Sequence, residues 1–267
     1  MQGRILIVAG SDCGGGAGIQ ADLKTVSALG GYGATAITAL TAQNTQGVFG
    51  IHPVPPAFIA QQMELVLGDI GADCIKTGML ASAAIVTAVA AVLAAQAPNV
   101  PLVVDPVMVA KGGASLLADD ATQALIALLI GQASVITPNL PEAEVLLGRP
   151  IVSVADMEQA AADLLALGCG AVLLKGGHLD GDDLVDILVS PSGLHRFHGR
   201  RIETTSTHGT GCTLASAIAC GLAQGMDLAA AVERGRVFVR RALASAPGLG
   251  HGHGPLNHLH AIEPYSC

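Results

Sequence analysis

Short apolar runs alternate with longer Ala- and Leu-rich stretches along the chain. The runs Ile5–Ala9, Ala34–Ala39, Cys74–Lys76, Leu102–Val104, Val135–Ile136, Ala171–Leu174 and Leu184–Val189 are short, as strands of a buried sheet are. The stretches Ala17–Leu29, Ala57–Leu67, Ala83–Ala95, Asp120–Leu129, Glu142–Leu147, Asp156–Leu167, Cys212–Gln224 and Leu228–Leu243 are expected helices. Strand–helix alternation of this kind predicts a doubly wound α/β sheet with right-handed crossovers. Ligands of such sheets gather at the carboxyl ends of the strands, so the loops after the strands are where chemistry is expected. No internal repeat and no Pro-, Gly- or Ser-rich linker divides residues 1–267, which read as a single domain. The Gly/His-rich stretch Pro247–Gly254 is expected to be a surface loop.

Composition narrows the possibilities. Hydrophobic residues make up 51% but aromatics only 2%, so the core is built from Ala, Val, Leu and Ile. The mean hydropathy of +0.56 raises the question of a membrane span, and no charge occurs between Thr77 and Val104. The apolar part, Met79–Ala95, is at the short end of the roughly 17–25 residues a span needs. It is mostly Ala and is followed by Pro98 and Pro101, so it reads as a buried helix leading into a strand. The apolar run Ile5–Ala9 is too short for a signal peptide. Net charge is −8 with Lys and Arg scattered, which leaves no basic stripe for nucleic acid. The six cysteines form no C-x-x-C pair, so a zinc site or disulfide scaffold is not expected and a reducing cytoplasm is the simpler setting.

Five loops carry candidate chemistry. Gly10-Ser11-Asp12-Cys13-Gly14-Gly15-Gly16-Ala17-Gly18 follows the first strand and opens a helix, where glycines let backbone approach a ligand. It fits the loose dinucleotide fingerprint, but no acidic residue lies between Asp22 and Glu64, so the ribose-binding carboxylate expected about 20 residues on is missing. A ligand loop is favoured over a tight turn alone. Asp105-Pro106-Val107-Met108 puts a carboxylate at the end of a buried strand. Thr137-Pro138-Asn139-Leu140-Pro141-Glu142 reads first as a helix cap; beside Asp105 it also suits a hard-oxygen Mg²⁺ site held partly through water. There is no G-x-x-x-x-G-K-[ST], which excludes a P-loop. Lys175-Gly176-Gly177-His178 brings a cation and flexible backbone to another strand end.

The fifth loop is the most specific. Thr207-His208-Gly209-Thr210-Gly211-Cys212 opens an apolar helix, and the amides from Gly209 to Cys212 would converge on one spot backed by the helix dipole. That is an anion hole suited to a transferring phosphoryl group. At such a helix start Cys212 is expected to have a lowered pKa and to take the proton of a substrate hydroxyl; its plainer role is a small helix-start residue.

Read in order, these segments resemble the ribokinase-like superfamily and, within it, the hydroxymethylpyrimidine/phosphomethylpyrimidine kinases. The resemblance runs from about Ile5 to Leu243 and includes Ala42-Gln43-Asn44-Thr45 and Gly78-Met79-Leu80 as well as the loops above. It implies a central, mainly parallel sheet flanked by helices on both faces, a cytoplasmic homodimer, and ATP with Mg²⁺. The implied reaction is two successive phosphorylations, of the pyrimidine's hydroxymethyl group and then of the monophosphate. Carried onto this chain, Gln43 would hydrogen-bond the aminopyrimidine edge, while Gly10, Met79 and Val107 would line the ring pocket and Asp22 would approach the substrate hydroxyl. Lys175 and the Gly209, Gly211 and Cys212 amides would hold the transferring phosphate. Asn139, Glu142 and Asp105 would organise Mg²⁺, and Val185–Val189 with the start of the last long helix would bracket adenine. Cys212 stands where most sugar kinases of the superfamily carry Asp, which speaks against a sugar substrate. Cys13 stands where Ser or Pro is expected. The rival readings are a pyridoxal kinase, against which Gln43 weighs, and a non-catalytic pyrimidine or nucleotide sensor, against which the intact Lys175, Asn139, Glu142 and Cys212 weigh.

Overall fold

The computed structural model describes residues 2–108 and 119–262. Its nine strands are β1 (Arg4–Asp12), β2 (Tyr32–Asn44), β3 (Gly47–Pro53), β4 (Cys74–Thr77), β5 (Leu102–Val104), β6 (Val135–Ile136), β7 (Val172–Leu174), β8 (Asp183–Ser190) and β9 (Gly193–Arg200). They form one sheet in the order β3-β2-β1-β4-β5-β6-β7-β8-β9. The six central strands are parallel, β3 pairs antiparallel at one edge, and β8 and β9 form an antiparallel pair at the other. The helices are α1 (Gly18–Ala28), α2 (Pro56–Asp69), α3 (Ala83–Gln96), α4 (Asp119–Leu128), α5 (Leu140–Leu147), α6 (Val154–Leu165), α7 (Thr210–Ala223) and α8 (Leu228–Ala244).

Side chains alternate across the sheet and split the core in two. From β1, Leu6 and Val8 join the side chains of α2 to α6, whereas Ile5, Ile7 and Ala9 join those of α1, α7 and α8. This is the layered α/β architecture that the alternation predicts. No helix among the described residues is long and apolar enough to cross a membrane, and the stretch around Met79–Ala95 folds as a buried turn followed by α3.

Two strands lie outside the expected set. β3 and β9 are sheet-edge strands whose residues are mostly exposed, so they lack the continuous apolar run that marks the central strands. β1 and β2 also extend beyond their apolar runs. Ser11 pairs with Leu40 and Asp12 with Thr41 after a bulge next to Gly10. That extension carries the glycine loop and the Gln43 segment side by side beyond the sheet's carboxyl edge.

Candidate active site

The loops after β1, β4, β5, β6, β7 and the loop before α7 line one cavity of about 780 Å³. At one end Gly10 faces Met79. A Cβ added to Gly10 would lie 2.6 Å from Met79 Cε, so a larger residue there would displace the end of that side chain from the cavity wall. Thr38 Oγ1 donates to the Met79 carbonyl at 2.6 Å and fixes its backbone. Val107 and Gln43 line the same end. Gln43 sits at a bulge between β2 and β3, where Cys13 grips its backbone: Sγ donates to the Gln43 carbonyl at 3.1 Å and accepts its amide at 3.3 Å. Cys13 thus connects the glycine loop to the Gln43 segment.

Across the cavity, α7 starts from Gly209, whose backbone is left-handed (φ 85°). The first amides of a helix have no partner within it, so those of Thr210 to Cys212 are available to a ligand. Lys175 and Asp105 stand against the same turn. A Cβ on Gly211 would lie 3.4 Å from Lys175 Nζ and 3.7 Å from Asp105 Oδ2. Lys175 Nζ lies 3.2 Å from Asp105 Oδ1, which also accepts from Thr137 Oγ1 at 3.0 Å. Burial works against the Lys175 ammonium, but Asp105 and Glu142 outweigh it and its pKa is raised.

Asn139 and Glu142 form a reciprocal helix cap. Asn139 Oδ1 accepts the Glu142 amide at 2.9 Å, and Glu142 Oε2 accepts the Asn139 amide at 2.8 Å. The plainer reading of that segment therefore holds, yet both residues also line the cavity. Burial, reinforced by Asp105, pushes the Glu142 carboxyl up to about 7 against the pull of Lys175. Among the described residues no group of three or more His, Cys, Asp or Glu side chains forms a ready metal cage. What the site offers an ion is two carboxylates and an amide.

Three expectations are corrected. Asp22 does not line the cavity. It is fully buried beneath it, where Lys76 Nζ and Ser216 Oγ hold its carboxylate, so it cannot approach a substrate hydroxyl. Cys212 lines the cavity at the start of α7, but its thiol is not lowered. Burial, with Asp22 and Asp105 nearby, outweighs the ammonium of Lys76 and pushes it up to about 12. Desolvation of a thiolate exceeds what a helix start returns. At the far end of the cavity the apolar walls are Leu184, Ile202, Val239 and Leu243. Leu184 belongs to β8, Ile202 follows β9, and Val239 and Leu243 come from the second half of α8 rather than its start. Of Val185–Val189 only Asp186 lines the cavity, Ile187 and Leu188 being buried in the core.

The family model described as phosphomethylpyrimidine kinase matches residues 12–257, which include all of the cavity lining except Ala9, Gly10 and Ser11. The chain belongs to the phosphomethylpyrimidine kinase family. It is 54% identical over 98% of its length to the thiamine biosynthesis bifunctional protein ThiED of Geobacter sulfurreducens, and it spans about half of that relative (53%). It is 48% identical to the hydroxymethylpyrimidine/phosphomethylpyrimidine kinase of Escherichia coli, covering 96% of this chain and 97% of that one. Among solved structures, the phosphomethylpyrimidine kinase of Clostridium difficile superposes with a TM-score of 0.80 at 44% identity, over 90% of this chain and 98% of that one. An ADP complex of Bacillus subtilis pyridoxal kinase superposes with a TM-score of 0.90 at 35% identity, over 97% and 98%. The fold is therefore ribokinase-like, as the sequence implies.

Seen as a phosphomethylpyrimidine kinase family member, the chain holds site residues that its loops alone do not single out. Lys76 is fully buried, yet it lines the cavity floor, and a Cβ on Gly78 would lie 2.9 Å from its Nζ. Its signal was a lysine inside the apolar strand Cys74-Ile75-Lys76. The Gly/His-rich tail is largely exposed, as expected, but it also clasps the rim. The amides of His251 and Gly252 donate to Thr45 Oγ1 at 3.2 Å each, and the His253 amide donates to the Thr45 carbonyl at 2.7 Å. Contacts of this kind, made between residues about two hundred positions apart, leave no local trace in sequence.

Proposed function

We propose that this chain uses ATP to phosphorylate the hydroxymethyl group of 4-amino-5-hydroxymethyl-2-methylpyrimidine and then the monophosphate so formed, giving the diphosphate used in thiamine biosynthesis. The observation that carries this reading is a single cavity with two unlike ends. The apolar shelf of Gly10, Met79 and Val107 suits a flat heteroaromatic ring. Gln43 brings an amide, both donor and acceptor, to a ring edge that presents both. The opposite end gathers Lys175 and the amides of Gly209 to Cys212, as transfer of a phosphoryl group requires.

ATP is the donor on this reading, and the ADP complex of the similar pyridoxal kinase supports it. Asp105, Asn139 and Glu142 would hold Mg²⁺ through oxygen and water, and they fit such an ion because its remaining ligands come from water and phosphates. When bound, Mg²⁺ supplies neutralisation of charge on the phosphate oxygens. Lys175 stays charged and offsets the charge that builds up on the transferring group, while the preorganised amides accept it without reorganisation. In the ligand-free chain Cys212 rests as a thiol and offers its amide to the phosphate. In a loose transition state the hydroxymethyl proton leaves late, as the new O–P bond forms, and passes to a phosphoryl oxygen or to solvent.

The reading is tested by incubating the protein with Mg-ATP and, in parallel, the hydroxymethylpyrimidine, its monophosphate and pyridoxal, and following product masses. Mono- and diphosphate from the pyrimidines, with little from pyridoxal, is the expected result. Turnover of pyridoxal alone would overturn the role given to Gln43. A Gln43→Ala variant should weaken pyrimidine binding far more than ATP binding.

A homodimer belongs to the same reading. The edge strand β3 leaves one side unpaired, and exposed apolar side chains collect there: Leu40, Phe49 and Ile51 on the hairpin and Phe58 on α2. Light scattering of the wild type and of Phe49→Asp, expected as dimer and monomer respectively, checks this.

A further inference from the structure

One buried carboxylate joins two of the loops that line the cavity. Asp12 closes β1 with 2% of its surface exposed. Its Oδ1 accepts the Gly14 amide at 2.7 Å, and its Oδ2 accepts the amides of Gly16 at 2.9 Å and Ala17 at 2.8 Å. These three bonds set the shape of the glycine loop. The fourth partner lies 196 residues away, where His208 Nε2 sits 2.9 Å from the same Oδ2. A carboxylate held by this many donors is an acceptor, so Nε2 carries the proton in this contact.

His208 immediately precedes Gly209 and the anion hole. Its own amide donates to the Gly254 carbonyl at 3.0 Å, which fixes the backbone on its outer side. The two loops pack backbone against backbone. A Cβ on Gly16 would lie 2.5 Å from His208 Cδ2, and a Cβ on Gly209 would overlap the Gly16 carbonyl oxygen. The Asp12–His208 contact therefore holds the glycine loop and the start of α7 against each other. Burial raises the Asp12 carboxyl, but bonds from His208, Gln43, Ala17 and Gly14 overcome it and hold the group well below the usual carboxylate range.

We propose that Asp12 and His208 are positioning residues for phosphoryl transfer, fixing the amides of Gly209 to Cys212 against the glycine loop that packs beside them. The proposal rests on the kinase reading for its reaction, while the geometry it concerns is that of the anion hole. Amides stabilise a transferring phosphoryl group only while they are held in place, and a displacement of about 1 Å costs about 100-fold in rate.

The test compares His208→Ala, His208→Gln and Asp12→Asn in the full chain. Three quantities are measured: kcat and KM for the pyrimidine, the thermal midpoint, and binding of ADP with and without orthovanadate, a mimic of the transferring group that needs no turnover. His208→Ala is expected to lower kcat by about 10- to 100-fold, with KM changed by less than about threefold. It should weaken the vanadate complex by about tenfold while leaving ADP alone unaffected. His208→Gln, whose amide N–H can replace Nε2–H, should recover most of both losses with the same thermal midpoint. Asp12→Asn should resemble His208→Ala where it folds; the His208 pair decides the matter if it does not. Wild-type kcat and vanadate affinity in His208→Ala would overturn the proposal, as would equal losses in both His208 variants. A wild type that binds vanadate in a His208-dependent way but phosphorylates no pyrimidine would overturn the kinase reading and leave the positioning role standing.

Discussion

Lys76 Nζ lies 3.0 and 2.9 Å from the two carboxylate oxygens of Asp22, and neither side chain has any exposure. Ser216 Oγ donates to Asp22 Oδ1 at 2.7 Å. Burial opposes the charge on Lys76, but Asp22, with help from Asp105, holds its pKa above the ordinary lysine value. The pair thus seats a permanent cation at the floor of the cavity with its countercharge beneath it.

Removing either partner leaves the other charge buried and uncompensated. Lys76→Met and Asp22→Asn are each expected to lower stability by about 3–5 kcal/mol, and the double variant by clearly less than their sum. Urea unfolding of the four proteins of this cycle checks it. Additive losses would mean that the two charges do not depend on each other.

The central sheet and the site loops were legible because buried parallel strands are continuous apolar runs and because glycine, Asp, Asn and Lys after them break the pattern. The helix cap made by Asn139 and Glu142 was legible, and so was their nearness to the site. Asp22 was not, because a carboxylate just inside the first helix looks the same whether it faces a ligand or a buried lysine; only the fold brings Lys76 to it across 54 positions. The Cys212 thiol was misjudged for a related reason. A helix start is visible in sequence, but the depth at which it sits is not, and burial decides the sign of the shift. The edge strands β3 and β9 lacked the apolar run altogether.

Two buried groups should give opposing pH dependences. Burial raises Glu142 from its ordinary 4.5 to about 7, so between those values the folded chain keeps a proton that the unfolded chain has released. Its contribution to stability is full below about pH 4.5 and is lost as pH rises through about 7. Burial lowers His258, bonded to Thr213 Oγ1 at 2.9 Å, from 6.5 to about 4, so its contribution is lost as pH falls through that window. Glu142→Gln keeps an oxygen for the Asn139 amide and removes only the titration. The variant is expected to be more stable than wild type at mildly alkaline pH by at most about 3 kcal/mol, and to lose stability more steeply on acidification. Urea midpoints across the pH range check this; parallel curves would show that Glu142 titrates normally.

Thiol chemistry separates the cysteines. Cys13 is exposed, whereas Cys212 is pushed to about 12 and Cys74 is fully buried. Iodoacetamide reacts with thiolate. At mildly alkaline pH in the ligand-free protein, Cys13 is expected to be alkylated first among the cysteines of the described residues and Cys212 far more slowly, as followed by peptide masses against time. Labelling of Cys212 as fast as Cys13 would restore the resting thiolate that the sequence suggested.

Gly209 and Gly225 separate conformational strain from loop packing. Both are left-handed, with φ of 85° and 80°. A Cβ on Gly225 would meet nothing within 4 Å, whereas one on Gly209 would overlap the Gly16 carbonyl oxygen and crowd the Ala17 α-carbon at 3.2 Å. Gly225→Ala therefore carries only the cost of a left-handed alanine, about 1 kcal/mol, and should keep full activity. Gly209→Ala carries that cost and must also push the anion hole off the glycine loop, so kcat is expected to fall by about 100-fold or more. Steady-state kinetics beside urea unfolding of the two variants distinguishes the terms. Equal, small effects in both would mean that the two loops can part without loss, and the close packing of Gly16 against Gly209 would then have no part in the reaction.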